Sequence, residues 1–169
     1  FAVRSAYGQL SEYQGLWGLA FLKRNFPDNY LAVDWINKNI TGQPVMLEAA
    51  GDSYTLYNHI SVSTGLPTVQ GWLVHEWLWH GGAKDATGKY LNKTDCGDPC
   101  NIRNPDVQKI YESADLAETR RLLQKYSVDY VFIGELEVEK YQQLQTEKFE
   151  KLGQIVYESG KAKIYRLNK

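Results

Sequence analysis

The sequence predicts an α/β fold in which helices flank a mainly parallel sheet that ends in an antiparallel hairpin. Two short apolar runs, 44–49 and 128–134, have the length of buried strands, and a segment with helical spacing precedes each of them. Strands connected through helices usually run parallel, so we expect Rossmann-like or flavodoxin-like layers with helices on the faces of the sheet. Residues 154–166 contain two β-prone runs separated by Gly160, which predicts the closing hairpin.

The first two helices are predicted in the N-terminal half. Residues 28–39 repeat apolar side chains at helical spacing, with Pro27 just before them and Gly42 just beyond. Residues 53–75 form a continuous segment of 23 residues without Asp, Glu, Lys or Arg, and the segment is rich in Ser, Thr, Tyr and Gly. This composition predicts buried or pocket-lining loops. A short aromatic helix is expected over residues 71–80.

Three further helices are predicted in the C-terminal half. Asn104 and Pro105 form a cap and a first-turn proline, which open the third helix. Ser113 and Asp115 are candidate caps of the fourth helix, which leads into the second strand. Residues 138–151 are predicted to form the fifth helix, before the hairpin.

The chain is expected to form one domain, 1–169, that has been excised from a longer protein. It begins with Phe1, and Met46 is its only methionine. Its length suits one core without help from a metal. A glycine-rich stretch between the second and third helices predicts a long loop insertion, 81–103.

Charge and hydropathy exclude two classes of protein. Nineteen Lys and Arg face twenty Asp and Glu, so the net charge is about −1 and no basic stripe for nucleic acid is present. No stretch of about 20 mainly apolar residues is present either, so we expect a soluble domain with no membrane span of its own.

Carboxylates near the strand ends are the first candidates for chemistry. Glu48 falls at the carboxyl end of the first strand, and Glu135 and Glu137 follow the second strand. In parallel sheets ligands collect at that edge. A carboxylate in an apolar pocket can have a raised pKa and act as an acid or base, or it can form a structural ion pair with an arginine such as Arg103.

Histidines and cysteines give a second set of candidates. His75 and His80 are five residues apart, so they cannot both face one zinc ion from one helical face, and a metalloprotease is disfavoured. Cys96 and Cys100 favour a small disulfide loop in an oxidising compartment. Free thiols, or a zinc site shared with the two histidines, are the alternatives.

A longer pattern resembles the uncharacterised multi-pass "YYY" membrane protein family. Its most specific part is the run of residues 65–72, Gly-Leu-Pro-Thr-Val-Gln-Gly-Trp, followed by His75, Glu76 and Trp79. Residues 45–51, 53–54 and 125–126 continue the likeness, as do Val128, Tyr130, Val131 and residues 134–137. The remaining matching positions are 16–22, Arg103, Asp106, Ile110, Tyr111, Tyr141, Lys148, Phe149, Ile164 and Tyr165.

This resemblance implies that the chain is the C-terminal extramembrane domain of a protein whose N-terminal transmembrane region looks like the GT-C glycosyltransferases. The domain would lie on the extracytoplasmic face of the cell membrane, without a cofactor of its own, and the parent would use a lipid-phosphate sugar donor. Its partners would be that transmembrane region and a glycan or lipid-linked sugar. The residues expected to line a substrate-binding site are Glu48, Tyr54, His75, Glu76, Trp79 and Arg103.

Two other functions are compatible with the sequence. The domain could be a non-catalytic module that binds a glycan or a protein, or that has a structural role. A third hypothesis is a hydrolase that uses two of the carboxylates. In the first two cases the isolated domain is expected to be inactive.

Overall fold

The computed structural model describes residues 17–80, 86–87 and 99–168. Within these ranges the helices are α1 (Ala20–Asn25), α2 (Pro27–Asn39), α3 (His59–Thr64), α4 (Leu73–His80), a π-helical turn (Pro99–Arg103), α5 (Asn104–Glu112), α6 (Leu116–Lys125), α7 (Glu135–Lys140) and α8 (Glu147–Leu152). The strands are β1 (Val45–Leu47), β2 (Val128–Ile133), β3 (Gly153–Ser159) and β4 (Ala162–Leu167).

The described strands form a mixed sheet in the order β1-β2-β4-β3. β1 and β2 are parallel, whereas β4 is antiparallel to both β2 and β3. The prediction of a mainly parallel, Rossmann-like sheet is therefore wrong, although the hairpin of β3 and β4 is confirmed. β4 pairs directly with β2, so the hairpin of β3 and β4 forms half of the sheet. The central position of β4 agrees with the full burial of Ala162, Ile164 and Tyr165.

Apolar clusters cover both faces of the sheet. Because side chains alternate along a strand, Val131 and Ile133 of β2 point to one cluster and Phe132 points to the other. The first cluster receives buried residues from α5, α6 and α8, and the second receives them from α1, α2 and α3. The helices thus pack on both faces, as the sequence predicts.

Four of the five predicted helices are confirmed, and one is revised. α2, α4 and α5 lie where expected, and the Asp115 carboxylate caps α6 by accepting from the N–H of Ala117 at 2.8 Å. The predicted helix 138–151 is instead two helices, because the chain leaves α7 at Tyr141, whose ring stacks on Tyr111 with centroids 4.5 Å apart. The uncharged segment 53–75 contains α3, which was not predicted.

The two edges of the sheet differ. At the β1 edge, the N–H of Met46 donates to the carbonyl of Pro67 at 2.9 Å, and Met46 forms a parallel bridge with Thr68. At the β3 edge, the pairing with β4 shifts register between Ile155 and Tyr157. Backbone from outside the sheet therefore covers one edge, and a bulge interrupts the other.

Candidate functional site

Glu48 follows β1 directly, but it points into the protein. The residue is 1% exposed, and its two carboxylate oxygens accept the backbone N–H groups of Ile60 and Ser61, each at 2.8 Å. These amides belong to the first turn of α3, where a negative charge is favoured. Glu48 therefore fixes α3 on the carboxyl end of β1, and it forms no ion pair with Arg103 among the described contacts.

Glu137 is the second buried carboxylate at this edge. It is 0% exposed, and it accepts the N–H of Ala49 at 2.7 Å and the N–H of Gly134 at 2.8 Å. Ala49 follows β1 and Gly134 follows β2, so this one side chain connects the carboxyl ends of the parallel pair. The sequence analysis grouped Glu135 with Glu137 as candidate acids. Glu135 instead lies near the surface, where its carboxylate forms an ion pair with Lys161 at 2.8 Å.

Burial raises the pKa of both carboxyl groups to about 7. Loss of hydration disfavours the ionised form, and for Glu137 the nearby charge of Glu48 raises the pKa further. The backbone N–H groups that donate to the carboxylates act in the opposite direction and offset part of this effect. The two buried carboxyl groups therefore interact, since ionisation of Glu48 disfavours ionisation of Glu137.

The stability of the fold is expected to fall as the pH rises from about 4.5 to about 7. In the unfolded chain both carboxyl groups ionise near 4.5, whereas in the fold they keep their protons up to a pKa of about 7. The folded state thus binds more protons in this window, and linkage makes stability decrease with pH there and level off above it. The buried His59, whose pKa is lowered from 6.5 to about 4, acts in the opposite direction, because the unfolded chain binds its proton in this window. One pKa unit is worth about 1.4 kcal/mol, and two carboxyl groups outweigh one imidazole, so a net loss of a few kcal/mol is expected.

Urea unfolding at pH 5.0 and 7.5 measures this slope. The Glu48→Gln variant should show a smaller loss between the two pH values than the unchanged protein, because one of the two titrating groups is gone. Equal stability of the unchanged protein at both pH values would contradict the assignment.

Three uncharged polar side chains of the segment 53–75 are also buried. Asn58 and Gln70 are buried, and the Asn58 amide donates to the Gln70 carbonyl at 2.7 Å. His59 is also buried, and its burial lowers its pKa to about 4, so it is neutral near pH 7. Sequence reasoning missed these three residues and singled out His75 and His80 instead. The absence of charge over 53–75 was the available signal.

An aromatic cluster lies closer to the surface than these buried side chains. Tyr54, Trp72 and His75 contact one another, with ring centroids between 5.2 and 5.7 Å apart. The Trp72 indole N–H donates to the Tyr57 carbonyl at 2.6 Å, which fixes the ring in place. Tyr54 has a positive φ of 61° and is 84% exposed. A tyrosine is rarely held in this backbone region, and such residues cluster at functional sites.

An open cavity of about 330 Å³ lies beside this cluster. Glu76 lies on its wall, where the carboxylate accepts the Gly71 N–H at 3.1 Å. Trp79 is 86% exposed at the cavity, so its indole face is open to solvent. The residues that line the cavity are Asn58, Ser61, Val62, Gly71, Trp72, His75, Glu76 and Trp79.

The structure therefore brings together part of the predicted site. His75, Glu76 and Trp79 share the cavity, and Tyr54 contacts His75. Glu48 lies beneath the cavity, where it holds the backbone of Ser61. Arg103 does not line the cavity; its guanidinium donates to the Val69 carbonyl at 3.2 Å and ties the π-helical turn to the segment before α4.

The cysteine predictions concern a part of the chain that lies mostly outside the described residues. Cys96 and most of the loop 81–103 lie outside the described residues, and Cys100 lies in the π-helical turn. The disulfide therefore stays a prediction, as do the free thiols and the zinc site. Among the described residues, no helix has the length and apolarity that a bilayer span requires.

Comparisons with known proteins support the fold. No family model matches the chain, and no curated protein matches it. Among solved structures, the fold is similar to the crystal structure of the C-terminal globular domain of an oligosaccharyltransferase from Archaeoglobus fulgidus. The TM-score is 0.50 at 12% sequence identity, over 83% of this chain and 97% of that chain. The likeness concerns the fold, and the resemblance to the "YYY" family stays a prediction.

Proposed function

We propose that this chain is the extracytoplasmic domain of a membrane glycosyltransferase of the GT-C kind, and that the cavity beside α4 helps to bind the saccharide part of the substrate. The observation that carries the proposal is the exposed indole of Trp79 beside the Glu76 carboxylate in one open cavity. The fold likeness to the C-terminal globular domain of an oligosaccharyltransferase supports it.

The chemistry of the cavity suits a sugar. Trp72 and Trp79 offer apolar indole surfaces on which the C–H face of a pyranose ring can stack. The Glu76 carboxylate can accept hydrogen bonds from sugar hydroxyl groups, and so can the Ser61 oxygen, whose own proton is donated to the Asn58 carbonyl. Because Trp72 and Glu76 are already held by backbone contacts, little side-chain freedom is lost when a ligand binds.

We propose no catalytic role for the buried acids. Both oxygens of Glu48 and both oxygens of Glu137 already accept backbone N–H groups, and both residues are fully buried. Neither carboxylate lines the cavity, so neither is placed to exchange a proton with a ligand there. This argues against the hydrolase hypothesis that uses this pair, and we expect the isolated domain to be inactive.

A non-catalytic protein-binding module is the second candidate. It is favoured by exposed apolar side chains, since Val62 and Trp79 are exposed on the cavity wall and Leu78 is exposed on the same helix as Trp79. Exposed apolar patches of this kind commonly mark interaction sites.

Replacing Trp79 by alanine is expected to weaken saccharide binding about tenfold, which corresponds to about 1.4 kcal/mol. The stacking surface is lost, whereas the fold should be unaffected because the side chain is exposed. A glycan array would identify a ligand for the unchanged protein, and isothermal titration calorimetry would compare the affinities.

Trp17→Ala is the matched control, because Trp17 is 48% exposed but packs on Tyr30 and does not line the cavity. The saccharide affinity of the Trp17→Ala variant should equal that of the unchanged protein. If no saccharide binds at millimolar concentration, the glycan-binding proposal is wrong and the protein-binding module becomes the better hypothesis.

A further inference from the structure

We propose that Asn39 is a modification site at which the protein accepts an N-linked glycan. Residues 39–41 are Asn-Ile-Thr, which is the acceptor pattern Asn-x-Ser/Thr with a residue other than proline in the middle. The inference goes beyond the cavity beside α4, and it rests on one part of the proposed function, the extracytoplasmic position of the domain. Because such triplets also occur by chance, the place of this one in the fold decides whether it is usable.

The acceptor triplet lies where α2 ends. Asn39 is the last residue of the helix, and Ile40 leaves it with an extended backbone, φ −100° and ψ 126°. Gly42 follows with a positive φ of 79°, which turns the chain toward β1. The triplet therefore belongs to a surface connection, and the last residue of a helix frays readily.

Both side chains of the acceptor pattern are accessible. Asn39 and Thr41 are exposed, whereas Ile40 between them packs against the second apolar cluster. The Asn39 amide nitrogen donates to the Trp35 carbonyl at 2.8 Å. A side-chain amide has two N–H groups, so a second N–H is left for reaction. In the part of the chain that the structure describes, the Thr41 hydroxyl makes no hydrogen bond that would keep it from a modifying enzyme.

The proposed reaction joins a sugar to the Asn39 amide. A bond forms between Asn39 Nδ2 and C1 of the first sugar, and the bond between C1 and the oxygen of a lipid-phosphate carrier breaks. The lipid phosphate leaves with the electron pair of that bond, and one Nδ2 proton passes to a base of the modifying enzyme. The donor is a lipid-phosphate-linked glycan, and the catalyst is a separate glycosyltransferase that uses this chain as its acceptor. One N–H stays on Nδ2 for the Trp35 carbonyl.

The fold separates this position from the saccharide-binding cavity. The triplet precedes β1, whereas Glu48 follows β1 and holds the backbone of Ser61, which lines the cavity beside α4. Thr41 lines a different open cavity, of about 490 Å³, at the amino end of β1. A glycan on Asn39 would therefore leave the cavity beside α4 open.

Peptide mapping by mass spectrometry tests the proposal on the whole protein, purified from the cells that produce it naturally. Cleavage at acidic residues releases residues 35–48 as one peptide, which contains Asn39 and no other acceptor pattern. We expect most copies of this peptide to carry a chain of hexose or N-acetylhexosamine residues, located on Asn39 by electron-transfer fragmentation. A wholly unmodified peptide would overturn the proposal.

Variants made in the same cells assign the modification to the triplet. Thr41→Val removes the hydroxyl and keeps the size of the side chain, so we expect the glycan to be lost, whereas Thr41→Ser keeps the hydroxyl and should retain it. Asn37→Gln is the matched control, because Asn37 is an exposed asparagine of the same helix without Ser or Thr two positions later. A glycan that persists in Thr41→Val would contradict the assignment to this triplet.

The position of the domain is measured separately. A membrane-impermeant amine reagent applied to intact cells should label Lys151, which is exposed. If Lys151 is labelled and Asn39 is unmodified, the glycosylation is wrong but the proposed function stands. If Lys151 is unlabelled and Asn39 is unmodified, the extracytoplasmic position is wrong as well, and the proposed function fails with it.

Discussion

Gly153→Ala is expected to lower the free energy of unfolding by about 2–4 kcal/mol. A Cβ atom at Gly153 would lie 2.1 Å from the carbonyl oxygen of Arg166 and 2.9 Å from the Cα of Leu167. Both are backbone atoms of β4, which is hydrogen-bonded to β2 on one side and to β3 on the other. The strand cannot move aside without breaking one of these pairings. Urea unfolding followed by far-ultraviolet circular dichroism measures the loss.

Gly18→Ala is the matched control for this variant. Among the described residues, no heavy atom outside its chain neighbours lies within 4 Å of a Cβ atom built at Gly18, so the same chemical change meets none of them there. Its unfolding midpoint should stay close to that of the unchanged protein. Equal stability of the two variants would show that β3 and β4 can separate at this point, against the packing described above.

Glu137→Ala is expected to lower the free energy of unfolding by about 2–4 kcal/mol at pH 5. The change leaves the N–H groups of Ala49 and Gly134 buried without their acceptor, and each such donor costs about 1–3 kcal/mol. The effect should be smaller at pH 7.5, because the folded carboxyl group, with its pKa raised to about 7, is itself unfavourable there. Chemical unfolding at the two pH values measures both effects.

Two variants control this result. Glu139→Ala removes an exposed carboxylate from the same helix and should change stability by less than about 0.5 kcal/mol. Glu137→Gln keeps one acceptor oxygen and should fall between alanine and the unchanged protein. If Glu137→Ala were as stable as Glu139→Ala, the connection between β1 and β2 would have no energetic importance.

Helices α2, α4, α5 and α6 and the hairpin could be predicted from the sequence because their signals are local. Pro27 and Pro105 mark helix starts, Asp115 caps α6, and Gly160 occupies the turn between β3 and β4 with a φ of 54°. The order of strands in the sheet could not be predicted in this way. An apolar run such as Val128–Ile133 indicates burial on both faces, but it does not show whether the strand beside it is parallel.

In the candidate site, too, the position of a residue along the chain could be predicted, whereas its contacts could not. Glu48 was expected at the carboxyl end of a strand, and it lies there, but the sequence does not show that its oxygens face the amides of α3 rather than a cavity. Glu137 was noted only as the partner of Glu135, and its role depends on a contact with Ala49, which is 88 positions away along the chain. His59 gave no local signal because α3 is short and contains β-branched residues that do not favour helices.

The unequal edges of the sheet bear on how the protein behaves at high concentration. Unpaired backbone groups along an outer strand can recruit a strand from another molecule, which is a common route to aggregation. Here the segment through Pro67 and Thr68 occupies the β1 side, and the register shift between Ile155 and Tyr157 disrupts the row of groups on the β3 side. The bulge and the covering segment therefore act as built-in protection against strand-by-strand polymerisation.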